Sequence, residues 1–147
     1  MRHDVINTYV GRHRSIMPLT PTGSYRLAEQ IGGWAVFADI DLITVARADI
    51  SSPLVTLDAG VTVDGSGQQL AAIGFGLAYA LGYVPDSDLV GVIVTRLHTN
   101  PVDTTPMALS FATCHAVLDS LDLQPDFAPY FDRETRSFVF PGRGPTD

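Results

Sequence analysis

The chain has 147 residues, a formal charge of −7 and an apolar fraction of 46%, which sets one domain with a single core that needs no covalent staples. The acidic balance weighs against a nucleic-acid partner, because phosphate contacts need clustered cations. All nine cations are Arg, so a phosphate-binding loop with its Lys is excluded, and the lone Cys114 excludes an intrachain disulfide or a Cys-based zinc cluster.

Residues 1–22 read as a lead-in arm. Arg2, Arg12 and Arg14 against Asp4 make it mildly basic, and it lacks the continuous apolar run of a secretory signal. Ser24 to Ile31 is predicted as a short helix, with Leu27, Ala28 and Ile31 on one side and Gly32-Gly33 as its stop. Trp34 to Arg47 is the clearest strand region. Its apolar parity changes between Leu42 and Ile43, which predicts a bulge or turn near Asp39–Asp41. Leu54 to Asp58 and Val61 to Asp64 are two short strands around Ala59-Gly60, read as a hairpin.

A Gly65-Ser66-Gly67 corner then leads into Leu70 to Val84, which carries no charge. As a helix this run is about 22 Å long, too short for a bilayer core of about 30 Å, so it reads as a buried helix. Leu70, Ile73, Leu77, Leu81 and Val84 keep helical spacing. Ala72/Gly76, Gly74/Ala78 and Ala78/Gly82 form a second face that predicts the close passage of another backbone, in a sheet or a second subunit. Leu89 to Leu97 reads as an interior strand. Thr104 to Leu121 is an amphipathic helix with Met107, Phe111, Cys114, Leu118 and Leu121 as its stripe. Thr135 to Phe140 is a last strand and residues 141–147 a tail.

Early adjacent strands followed by two substantial helices predict one α+β domain over residues 1–147. Its sheet is mixed or mainly antiparallel, of about five to six strands, packed on a central buried helix (67–84) and the amphipathic helix (104–121). The strand after the central helix admits one parallel βαβ crossover.

Three functions fit these residues. The first is a non-enzymatic interaction or assembly subunit, self-associating or binding a protein, accessory or viral structural in type. It would sit in the cytoplasm or within an intracellular or viral assembly, with no nucleic acid, no membrane span and no required cofactor. It rests on the small-residue helix and the lack of a complete catalytic set. The second is a metal-dependent hydrolase or phosphoryl-transfer enzyme, in which Asp39, Asp41, Asp58 and Asp64 converge on a divalent ion such as Mg²⁺. Asp39 and Asp41 are two apart, so an unbroken strand puts both on one face. The third is small-anion or nucleotide binding by free amides at Gly65, Ser66 and Gly67, although Asp64 would repel a phosphate there.

For catalysis the candidate groups are His98, at the end of a strand, and His115 with Asp119, which are i and i+4 on a helix. Cys114 beside His115 suggests a nucleophile and its base. However, Cys114 belongs to the apolar stripe, and helical neighbours point about 100° apart, so it is assigned to the core.

Overall fold

In the computed structural model, residues 7–10, 22–46, 54–84 and 90–141 are described. Strands β1 (Asn7–Val10), β2 (Thr22–Ile31), β3 (Trp34–Ala46), β4 (Leu54–Leu57) and β5 (Val90–His98) form a mixed sheet in the order β1-β4-β5-β3-β2. Helices α1 (Gln68–Leu81) and α2 (Pro106–Ser120) pack on it, and β6 (Tyr130–Asp132) with β7 (Ser137–Val139) makes a small antiparallel hairpin. Among the described residues the fold is therefore α+β with two helices.

The segment Ser24–Ile31 is not a helix. It lies inside β2, where a period of two buries Gly23 and Leu27, half-buries Tyr25 and Glu29, and exposes Ser24, Arg26, Ala28 and Gln30. The Gly pair expected to stop a helix instead turns a hairpin, with Ile31 opposite Trp34. Gly32 alone of the two has a positive φ, +61°, which is the pattern of a type II′ turn.

β3 alternates without a break. Val36, Ala38, Ile40 and Leu42 are all buried beneath the helices. The pairing irregularity does fall between Asp41 and Leu42, but the extra residue is Thr95 on β5. Arg96 stands opposite Asp41 and Val94 opposite Leu42, and Thr95 Oγ1 donates to the Asp41 carbonyl at 3.2 Å.

The expected hairpin after β4 is absent. β4 runs parallel to both β1 and β5, so β4–α1–β5 is the parallel crossover. Val61 to Asp64 is irregular chain, held where Val61 N–H donates to the Asp58 carbonyl at 3.1 Å. Part of the lead-in arm, Asn7–Val10, is a strand. Thr22, the last residue of that arm, opens β2; the rest of the arm lies outside the described residues, as does the tail beyond residue 141.

The two helices exchange their expected roles. α2 is buried on almost every side, because it lies over β2 and β3 with α1 along one flank and Phe138 of β7 against Phe111. Thr105 caps it by accepting from Ala108 N–H at 3.1 Å, and Pro106 follows at N1. Thr104 Oγ1 donates to the Phe37 carbonyl at 2.6 Å and fixes that end of α2 to β3. Phe111, Cys114 and Leu118 of the expected stripe are buried, but Met107 is 45% exposed. The expected central helix, α1, buries Ile73 and Leu77 yet exposes Ala71, Phe75 and Ala78. The Ala72/Gly76 part of its small-residue face meets α2 of the same chain, where Ser110 Oγ donates to the Ala72 carbonyl at 2.9 Å and Gly76 lies against Ser110 and Thr113, whereas Ala78 and Gly82 are exposed. No described helix is long and apolar enough to cross a membrane.

Candidate functional site

The face of the sheet opposite the helices carries alternating charge across three strands. Arg26 of β2 stands opposite Asp39 of β3, which stands opposite His98 of β5, and Asp41 stands opposite Arg96. Asp39 is only 5% exposed. Arg96 holds it with two hydrogen bonds, Nη1 to Oδ1 at 3.0 Å and Nη2 to Oδ2 at 2.8 Å, and also lies 3.6 Å from Asp41. Arg26 approaches Asp39 at 3.7 Å and sits 5.3 Å from the centre of the Phe37 ring, which His98 meets edge-on at 5.2 Å. Opposite charges placed directly across strands favour this register over a slipped one.

The Arg96 hydrogen bonds hold the Asp39 carboxyl below its ordinary value of 3.8. Burial opposes that shift, and the charges of Arg96, Arg26 and His98 add to it. A carboxylate with a lowered folded pKa stabilises the fold fully above its unfolded pKa, and the contribution is lost as pH falls through the folded value. The stability of the chain should therefore fall below about pH 4, and Arg96→Gln should flatten that acid limb. Urea unfolding between about pH 2 and 6 measures it, and equal slopes in the two proteins would contradict the assignment.

The four Asp expected at a metal do not come together. Asp39 and Asp41 share a face as their spacing requires, but the Arg96 guanidinium lies where a cation would. Asp58 follows β4 and takes Ala59 N–H at 2.9 Å, while Asp64 caps α1. Among the described residues no three His, Cys, Asp or Glu side chains are grouped to hold a metal ion.

The start of α1 is closed by its own side chains. Gln69 N–H donates to Asp64 Oδ1 at 3.1 Å, and Asp64 N–H donates back to Gln69 Oε1 at 2.9 Å. Ser66 Oγ donates to Asp64 Oδ2 at 2.8 Å and accepts from Gln68 N–H at 3.2 Å. Gly67 adopts the left-handed conformation, φ +86°, that turns the chain into the helix. Gly65, Ser66 and Gly67 thus form a turn in which the Asp64 carboxylate occupies the place of an incoming anion.

His115 and Cys114 face different surroundings. Cys114 is fully buried. The His115 ring stacks on Tyr25 at 4.9 Å and lies 2.8 Å, through Nε2, from the Pro129 carbonyl. A carbonyl only accepts, so Nε2 carries the proton in that bond. Burial pushes the His115 pKa down, against the Pro129 hydrogen bond. Asp119 does not orient His115; its Oδ2 accepts Ser24 N–H at 3.1 Å.

That last bond lies at the sheet's edge. β2 is ten residues long and, among the described residues, pairs only with β3. Beside it is a recess of about 340 Å³ walled by Tyr25, His115, Leu118 and Asp119 and by Leu123, Gln124, Pro125 and Ala128 of the following loop. Sequence reasoning misses this site because it takes β2 for a helix. Read as a strand, the alternation of Ser24, Arg26, Ala28 and Gln30 marks its polar face.

No family model and no curated protein sequence matches this chain. Among solved structures, the fold is similar to part of a crystal structure of a Thermus thermophilus protein, at 20% identity and a TM-score of 0.53. The match covers 66% of this chain but only 15% of that one, and it bears on the fold alone.

Proposed function

We propose that the chain is a non-enzymatic interaction subunit that self-associates or binds another protein. The observation that carries this reading is the ten-residue edge strand β2 with a recess at its side. Strand edges offer unpaired amides and carbonyls to another chain. Exposed Phe75, Phe127 and Tyr130 add apolar surface suited to contact. The same reading sets the protein in the cytoplasm or within an intracellular or viral assembly, in keeping with a lone buried cysteine. Light scattering across micromolar concentrations, alone and with candidate partners, tests it. A mass above that of the monomer, or a stable mixed complex, is expected; a strict monomer that no protein or peptide joins would defeat it.

A further inference from the structure

The direction of the β2 amides follows from the hairpin. Ile31 and Trp34 flank a two-residue turn, so they form a hydrogen-bonded pair, and such pairs recur at every second residue. Tyr25, Leu27 and Glu29 therefore point their backbone groups at β3. Ser24, Arg26, Ala28 and Gln30 point theirs outward. The Ser24 N–H agrees, since it reaches away from β3 to Asp119. Asp119 occupies one end of this edge and, among the described residues, leaves the groups of Arg26, Ala28 and Gln30 facing outward.

On the helix side of this edge, the recess combines stacked Tyr25 and His115 rings and the apolar walls of Leu118 and Pro125 with one acidic group, Asp119, at its rim. Burial disfavours the charged form of His115. An aliphatic stem with a cationic tip fits this chemistry: the stem lies along the rings and the charge meets the carboxylate. The net charge of −7 favours the approach of a basic segment.

We propose that β2 binds an extended basic peptide segment of another protein as a sixth strand of the sheet, with an arginine or lysine side chain of that segment in the recess against Asp119. The proposal rests on the interaction-subunit reading and adds the chemistry of the partner. Main-chain bonds to Arg26, Ala28 and Gln30 would supply affinity, and the recess would select one side chain on the helix-facing side.

The probe is a set of fluorescein-labelled heptapeptides, Val-Thr-Val-X-Val-Thr-Val, with X as arginine, lysine, leucine or aspartate, titrated by anisotropy against the full chain. Arginine and lysine should bind about tenfold or more tighter than aspartate. Ala28→Pro should weaken the arginine peptide about tenfold, because it removes an outward donor and takes no bond from β3. Asp119→Asn should weaken arginine and leave leucine unchanged. Methylating alternate backbone nitrogens of the peptide makes the same test without altering the protein. Equal binding for every X, no binding at all, or full binding to a folded Ala28→Pro and to the methylated peptide would overturn the proposal. A peptide bound elsewhere would still support the interaction reading. A dimer of the chain that Ala28→Pro dissolves without peptide would assign the edge to a second copy and overturn the proposal too.

Discussion

Gly76→Val should destabilise the chain by about 3 kcal/mol or more, a large part of a typical domain's stability of about 5–15 kcal/mol. A Cβ at Gly76 would lie 2.5 Å from the Ser110 carbonyl oxygen, 2.8 Å from Thr113 Cβ and 3.0 Å from Cys114 N. Two of these three atoms belong to the α2 backbone, so no side chain can swing aside to make room. α2 is fixed by its Thr105 cap, by the Thr104 bond to Phe37 and by the Ser110 bond to Ala72. Relief would require α1 to lift away from α2, which would open the contact that buries Ile73 and Leu77. Gly76→Ala carries the same first clash and gains back about 1 kcal/mol of helix propensity, so it should be the milder of the two. Gly65→Ala is the control: it has a clear 4 Å around the added carbon and no positive φ, and it should change stability by less than about 0.5 kcal/mol. Urea melts followed by circular dichroism compare the three variants. Near-native stability of Gly76→Val would show that the two helices can separate at that point.

This close approach also shows what the sequence can convey. The spacing of Ala72 and Gly76 announces a passing backbone correctly, but spacing does not identify the passer. Here it is α2 of the same chain, so that part of the face is not left for a second subunit. Absence of charge makes α1 look like the buried centre. That absence reflects small residues packed on a flank, whereas the deep burial of α2 comes from its place above β2 and β3, which only the tertiary fold sets. β2 reads as a helix because Leu27, Ala28 and Ile31 satisfy a helical spacing over eight residues, too short a window to separate the two periods. The partner that decides the matter is β3, across the Gly32 turn. In the charged lattice, the shared face of Asp39 and Asp41 is legible from their spacing. The arrival of Arg96 is not, because it depends on the β5 register and the extra residue at Thr95. The edge position of β2 follows from strand order, on which local pattern is silent.

Cys114 separates packing from chemistry, and Cys114→Asp should be the most damaging single substitution in α2. Its stripe partners Phe111 and Leu118 are buried with it, and its own exposure is zero. A carboxylate there loses its hydration beside the α1 contact at Gly76, and neither α1 nor α2 contains an Arg to pair with it. Burying an unpaired charge costs several kcal/mol even after the group takes up a proton, so the variant should be unfolded at neutral pH. Cys114→Ala removes one sulfur atom from the same site and should cost about 1 kcal/mol while leaving any binding by β2 unchanged. Thiol labelling gives an independent measure. The native protein should react slowly with a small disulfide reagent, and the urea-unfolded chain should react at once, because a nucleophilic thiol needs an accessible, electropositive setting that this position lacks. Rapid native labelling together with a folded Cys114→Asp would place the sulfur at the surface. It would also return Cys114, with a histidine from another element, to consideration as a nucleophile.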